Sequence, residues 1–318
     1  MGDIMKNNPF PYSDDNKRYY TWNYYLKQTY GNKVFKVPLD PHFTCPNRDG
    51  KKAFGGCTFC SSRGSGDFTS TSNDLNTQFN DGLMMMKRKW PDGLAMAYFQ
   101  AYSNTYGDLN KLKEIYEPFV ERNDIVAISI ATRSDCIDQE IAAYLGSIAK
   151  RKPLWIELGL QTIHLKSDLN RHETIEEFEN ALSLLRAQNI DVAVHIMNSL
   201  PYESIDDMME TTKFIASHDI QALKIHMLHV MEGTIMGEQF KKQPFPLLSR
   251  EEYISTIVKQ LEILPPNLII QRLTGDAPKD LLIEPSWTLN KTTILNDIDK
   301  LMVKEDTWQG KYYNKKLI

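Results

Sequence analysis

The sequence predicts an α/β fold, a partial (β/α)6 barrel of the TIM type with N- and C-terminal extensions. Three observations predict it. Short apolar, β-branched runs recur along the chain, longer helical patterns fill the intervals, and the repeat is roughly thirty residues, the signature of strands joined in parallel by helices. Strands are expected over residues 34–39, 95–102, 124–131, 154–160, 191–197 and 221–228. Helices are expected between them over 75–89, 109–122, 138–150, 175–188 and 204–218. A helix over 250–264, a strand over 268–272 and a polar C-terminal segment follow. The 318 residues suit one barrel with additions. The expected organisation is an extension over 1–30, the barrel over 31–235 and a C-terminal extension over 236–318 packed on it.

With 42% apolar and 25% charged residues the composition is that of an ordinary globular protein. No run approaches the ~20 apolar residues that span a bilayer, and residues 1–20 carry no apolar signal core, so no membrane partner and a cytoplasmic location are expected. Met1-Gly2 reads as a site of efficient Met removal rather than lipidation. A net charge of −4 excludes a strongly basic nucleic-acid footprint but not a local one. Residues 86–90 and 311–316 are basic–aromatic patches, whose plainer readings are a solvated helix end and a loose tail.

Strand alternation adds a second clue. In Trp155-Ile156-Glu157-Leu158-Gly159-Leu160-Gln161, Ile156, Leu158 and Leu160 share one face, and Glu157, Gly159 and Gln161 the other. Lys224 and His226 likewise oppose Leu223, Ile225 and Met227, and His195 opposes branched apolar neighbours. The apolar faces are expected against the helices and the polar faces inward. A closed barrel is filled with branched apolar side chains, so an inward polar face points to a ligand-holding interior, or else to a satisfied internal network.

Four cysteines are too few for a disulfide scaffold at this length, and three of them form Cys45-x11-Cys57-x2-Cys60 directly after the first strand. That is where barrel enzymes place catalytic groups. Iron–sulfur clusters are usually held by four thiolates. With three, a [4Fe–4S] cluster keeps one iron open for the amino and carboxylate groups of S-adenosylmethionine. Gly55-Gly56 and Gly64-Ser65-Gly66 flank the thiols, where glycine backbone is expected to wrap closely and donate N–H groups to sulfur. Zinc is the competing reading, with His42 completing a Cys3His set. Cys136 reads as a buried, inert thiol.

Several runs carry a family resemblance. Asn8-Pro9-Phe10-Pro11-Tyr12-Ser13, Asn23-Tyr24-Tyr25, Val34-Phe35-Lys36-Val37, Cys45-Pro46-Asn47-Arg48-Asp49-Gly50, Gly56-Cys57-Thr58-Phe59-Cys60, Glu157-Leu158-Gly159-Leu160-Gln161-Thr162 and Arg272-Leu273-Thr274-Gly275-Asp276-Ala277-Pro278 resemble one bacterial group of radical S-adenosylmethionine proteins, nearly end to end. That group is similar to the elongator catalytic subunit, which shares the widened first cysteine spacing, and more distantly to oxygen-independent coproporphyrinogen dehydrogenase. The usual superfamily spacing is Cys-x3-Cys-x2-Cys, from which this chain departs as the subgroup does. The chain has no room for the acetyltransferase domain of the elongator subunit, so that reaction is not implied.

The resemblance implies cofactor contacts for further residues. Gln100 and Asn104 follow strand two, where related enzymes hold the cofactor's amino group through a glycine-rich turn whose glycines are absent here. Arg133 and Asp135 follow strand three and are assigned to ribose or the sulfonium. Gln161 matches a cofactor-contacting Gln, and Arg171 an Arg suited to the cofactor carboxylate. Asn198 follows strand five, near adenine; His226 is read as inward, toward cofactor or substrate, and His229 as structural. The implied activity is formation of a 5′-deoxyadenosyl radical, with flavodoxin or ferredoxin as electron donor. The implied substrate is tRNA, whose wobble 5-carboxymethylaminomethyluridine becomes 5-aminomethyluridine for a downstream methyltransferase. A radical enzyme acting on a small molecule such as a tetrapyrrole or peptide, and a non-catalytic zinc- or cluster-binding sensor, stay as alternatives.

Overall fold

The computed structural model describes residues 8–61, 63–64, 72–164 and 169–314. Ser65 and Gly66 of the glycine run, Met1-Gly2 and Lys315-Lys316 lie outside the described residues. The chain runs α1 (Trp22–Tyr30), β1 (Val34–Leu39), α2 (Leu75–Lys89), β2 (Leu94–Phe99), α3 (Leu109–Val120), β3 (Ile125–Thr132), α4 (Gln139–Ala149), β4 (Leu154–Gln161), α5 (Ile175–Ala187), β5 (Asp191–Asn198), α6 (Ile205–Ala216) and β6 (Ala222–Met227). There follow β7 (Val230–Met231), α7 (Ile235–Lys242), α8 (Arg250–Ile263), β8 (Ile269–Arg272), β9 (Leu282–Glu284) and α9 (Lys291–Lys304).

Seven strands form one sheet in the order β1-β2-β3-β4-β5-β6-β8, while β7 and β9 pair antiparallel in a second. The β1–β2, β2–β3, β3–β4 and β6–β8 pairs are parallel. From β1 to β6 each step between neighbours passes through a helix, the connection a parallel pair requires. This is the strand order of a partial (β/α) barrel. No helix among the described residues is long and apolar enough to cross a membrane. The chain divides into two compact units. One holds the described residues of Leu26–Leu160 and Leu165–Val194; the other holds those of Met1–Tyr25, Gln161–His164 and His195–Ile318.

In the first unit each helix opens on a side chain that accepts from its first turn: Asp74 from Thr77 N, Asp108 from Lys111 N, Asp138 from Ile141 N. Thr174 forms a full capping box with Glu177. One strand face meets the helices. Phe99 of β2 lies edge-on to Tyr116 and Phe119 of α3, with centroids 4.8 and 5.2 Å away. The other face is polar, as alternation predicts: Lys36 bonds Glu157, whose carboxylate also accepts from Ser129 Oγ at 2.7 Å, and Lys36 covers the Tyr98 ring at 4.4 Å. Glu157 is 1% exposed, so here the polar face is a satisfied internal network.

In the second unit the two chain ends, expected as separate extensions, are sewn together. Tyr20 O accepts from Ile270 N, Gln309 Oε1 accepts from Tyr20 N, and Lys17 pairs with Asp299. The segment expected to be polar contains α9, which buries Ile294, Ile298 and Met302 at successive turns. Its apolar stripe is only one residue wide, which hides it among charged neighbours. Helix α1 was also not expected, and only Leu26 of it is buried.

Replacing Phe99 by Ala removes the ring on which Tyr116 and Phe119 close. The expected loss is about 3–5 kcal/mol, read as a lower urea midpoint at unchanged slope.

Candidate functional site

The loop after β1 brings the three cysteines together inside the first unit. Cys45 O accepts from Arg48 N at 2.8 Å, Pro46 O from Lys52 N at 2.8 Å, and Cys57 O from Cys60 N at 3.0 Å, so the loop folds back on itself. Gly50, Gly55 and Gly56 take positive φ, between 83° and 90°, which glycine alone adopts freely. Residues 169–173 then clamp the loop. Thr58 N donates to Leu169 O at 3.0 Å, and Asn170 Nδ2 donates to the carbonyls of Phe54 and Gly56 at 3.0 and 2.8 Å. Asn47, fully buried, donates to Asn170 O and to Arg171 O. Lys52 closes the ring of contacts on His172 O, Glu177 and Asp135.

All four cysteines are free; Cys45 and Cys57 are buried and Cys60 is partly so. The N–H groups of Gly56 and Gly64 do not go to sulfur as expected. Gly56 N donates to Asn47 O and Gly64 N to Ser61 O, because the turns that the glycines permit consume those donors. The donors that approach sulfur are side chains: Asn47 Nδ2 lies 3.6 Å and Arg171 Nη1 3.8 Å from Cys57 Sγ. The Cys60 hydrogen bond lowers Cys57, against burial and with help from Arg171 and Arg133, while the same bond and burial push Cys60 up. One thiol is thus poised as thiolate. Burial pushes Cys136 up, as an inert thiol requires.

The loops after β2 and β3 border the cysteines. Ala101 and Tyr102 both hold left-handed φ, 68° and 54°, so the turn takes the conformation that glycines usually supply. Tyr102 lies under Arg48 at 5.0 Å, and Ser103 N donates to Thr44 O in the cysteine loop. Gln100 leaves the sheet edge through its N–H to Leu39 O; Asn104 Nδ2 binds the carbonyls of Ala101 and Ala131. Arg133 grips Asp135 with two bonds of 2.9 and 2.6 Å and donates to Arg171 O at 3.0 Å. Burial opposes ionisation of Asp135, but the Arg133 fork and Lys52 outweigh it and bring the carboxyl down to about 2. Arg171 bonds Gly159 O and Glu173.

The candidate residues thus fall in two groups. Gln100, Asn104, Arg133, Asp135 and Arg171 belong to the unit of the cysteines; Gln161, Asn198 and His226 belong to the other. Gln161 ends β4 at φ 71°, and Asn198 exchanges two hydrogen bonds with Gln260. Sequence reasoning missed Lys52 and Glu173, and it quoted Asn47 only as part of a motif. Their partners are more than a hundred residues away or hidden in a loop, and only the Asn47 position inside the cysteine run hinted at a role.

The donor set fits a metal cluster with a bound polar cofactor. Buried atoms without a partner gather on these same loops: Arg133 Nη1, Arg171 Nε, Asn104 Oδ1 and Ser134 Oγ. Orphaned buried donors and acceptors are costly and mark a place where something else completes them. Two thiolates on one zinc ion sit about 3.8 Å apart. Among the described residues only His164, Asp207 and Glu210 bring three ligand atoms within 4.8 Å of one another, so the three sulfurs as a set stand wider than one zinc ion requires. His42 is half-exposed, 3.8 Å from Asp40, and among the described residues joins no three-ligand group.

Residues 220–304 match the Radical_SAM C-terminal domain. The chain is 46% identical to YtqA of Bacillus subtilis over 315 residues, 98% of each chain. It is 29% identical over 165 residues to the tRNA uridine(34) acetyltransferase of Methanocaldococcus infernus, half of this chain and 30% of that one. The Elp3 structure from the same archaeon superposes with a TM-score of 0.64 at 18% identity, covering 87% of this chain and 64% of that one, a likeness of fold.

Cutting the Lys52 tether by Lys52→Met leaves the sheet intact and loosens the cysteine loop. Amide exchange over residues 45–60 is expected to quicken roughly tenfold, as loss of bonds to a charged group implies. Exchange that rises uniformly across the chain instead contradicts the clamp.

Proposed function

The chain belongs to the family of YtqA, within the radical S-adenosylmethionine superfamily, and on that premise we propose that it is a tRNA-modifying radical enzyme. Cys45, Cys57 and Cys60 hold a [4Fe–4S] cluster with one iron left to S-adenosylmethionine. The observation that carries this reading is the convergence of three free thiols on buried, partnerless polar atoms of Arg171, Arg133 and Asn104. When bound, the cluster and S-adenosylmethionine supply one-electron reductive cleavage and the radical that takes a hydrogen atom from substrate.

The chain's own residues do the rest. Arg171 and Arg133 set two positive charges beside the thiolates and offset their negative charge. Asn47 steadies Cys57 through a sulfur-directed N–H. Nη1 of Arg133 and Nε of Arg171 are available to a cofactor carboxylate, and Asn104 Oδ1 to its ammonium. Gln100 and Asp135 follow β2 and β3 on the neighbouring loops, and the burial of Cys45 and Cys57 would keep water from a bound metal. Flavodoxin or ferredoxin supplies the electron.

The substrate reading is conversion of wobble 5-carboxymethylaminomethyluridine to 5-aminomethyluridine, which a methyltransferase then takes up. It is supported by similarity over half the chain to a protein named for uridine 34 of tRNA. Two basic–aromatic surfaces suit an RNA backbone and stacked bases: Trp90 between Lys33 and Lys89, and Lys311 between Trp308 and Tyr312.

Anaerobic reconstitution is expected to load four irons and four sulfides per chain and to release 5′-deoxyadenosine, both lost in Cys57→Ala. One zinc and no cleavage would leave a structural metal site. In tRNA from a deletion strain, 5-carboxymethylaminomethyluridine is expected to accumulate at the wobble position while its aminomethyl product disappears. An unchanged nucleoside profile removes tRNA as substrate and leaves a small molecule.

A further inference from the structure

We propose that His164, Asp207 and Glu210 form a site for one first-row divalent cation, zinc before magnesium. All three residues lie within the second unit, and the cysteines lie in the first. The inference goes beyond the radical reading and does not rest on it.

Helix α6 carries Asp207 and Glu210 three residues apart, which places them on one face. The segment after β4 docks on that same face. Ile163 N donates to Thr211 Oγ1 at 3.4 Å, one turn beyond Asp207, and His164 N donates to Thr162 Oγ1 at 3.0 Å. The imidazole is thereby brought over the two acids. His164 Nε2 stands 3.6 Å from Asp207 Oδ1 and 3.6 Å from Glu210 Oε2, and the three atoms all lie within 4.8 Å of one another. Bonds of about 2.0–2.2 Å to one zinc ion set neighbouring ligand atoms about 3.3–3.6 Å apart in a tetrahedron. Partners in a direct hydrogen bond come closer, to about 2.7–3.2 Å. The spacing here suits ligands of a common ion better than partners in one hydrogen bond.

The ligands are oriented from outside the trio. Asp207 Oδ2 accepts from Ser204 N at 2.7 Å and from Ser204 Oγ at 2.9 Å, the capping box of α6, and its Oδ1 faces the imidazole. His164 Nε2 also lies 3.1 Å from Asp207 O. As an Nε2–H tautomer the ring donates to that carbonyl. As a metal ligand it gives the Nε2 lone pair to the cation and carries its proton on Nδ1. Two carboxylates on neighbouring turns of a helix repel, and a divalent cation answers both charges at once. An imidazole beside two carboxylates suits zinc and its first-row neighbours, whereas magnesium favours an all-oxygen set that keeps its waters. His164 and Asp207 are half-buried and Glu210 is exposed, so the ion can arrive from solvent. Three protein ligands leave a tetrahedral ion one position for water or for an oxygen of a ligand.

The test titrates the cluster-loaded chain anaerobically with Zn²⁺, Mn²⁺ and Mg²⁺, each alone, and follows the His164 ring protons by NMR. His164→Gln supplies the assignment, and equilibrium dialysis counts the ions bound. Zn²⁺ is expected to shift the His164 signals to saturation with one ion taken up, Mn²⁺ to broaden them, and Mg²⁺ to leave them in place. His164→Gln is expected to lose that ion. Glu210→Gln, at an exposed position that the fold does not need, is expected to weaken Zn²⁺ about tenfold or more. A His164 ring unmoved by a large excess of Zn²⁺, or uptake that is equal in wild type, His164→Gln and Glu210→Gln, overturns the proposal and leaves the trio as an ion pair. A response to Mg²⁺ as strong as that to Zn²⁺ overturns the assignment of an imidazole-bound ion. If no cluster can be loaded, the radical reading fails by itself. The same comparison on the chain as purified then decides this site, because zinc held by thiols survives His164→Gln and zinc held here does not.

Discussion

Arg171 is the residue on which the architecture around the cysteines depends. A guanidinium 9% exposed is costly unless most of its donors are matched, and here all but Nε go to Gly159 O at the end of β4, to Glu173 and to the sulfur of Cys57. Its own carbonyl then accepts from Asn47 and Arg133. One residue thereby ties a strand end, the cysteine loop and the loop after β3. Removing one partner of such a buried charge costs far more than the net worth of the pair, so the arrangement tolerates little slack. Rigidity of this kind is what a set of converging ligands requires.

The strand ends show the same economy in backbone form. Ala101 and Tyr102 after β2, Gln161 at the end of β4 and Ser199 after β5 all take positive φ without being glycine. Each such residue is strained, on the order of 1–3 kcal/mol, and persists only where its surroundings over-determine it. Asn104, whose amide binds Ala101 O, and Arg48, packed over Tyr102, are those surroundings for the turn after β2. A conformation that glycine adopts freely is held here by side-chain support.

The fold was readable because its signals are local. The expected bounds of β1 and α2 coincide with the observed ones, since β-branched alternation opens the first and Asp74 caps the second. The strand expected over 95–102 stops at Phe99 because the next residues look extended in sequence while their backbone turns. Two-residue β7 and three-residue β9 exist only through each other and leave no local trace. The cysteine run stood out as a candidate by its spacing alone. Their clamp was not: Asn47, Lys52 and Asn170 act across more than a hundred residues, and nothing in a polar side chain announces so distant a partner.

Net charge misleads for the same reason. A chain at −4 looks ill suited to an anionic substrate, yet recognition reads the local field rather than the sum. The acids of this chain are largely committed: Asp108, Asp138 and Glu252 cap helices, Glu157 is matched to Lys36, and Asp135 to Arg133 and Lys52. Acidity spent on helix caps and internal pairs makes the net charge a poor guide to the field that a ligand meets.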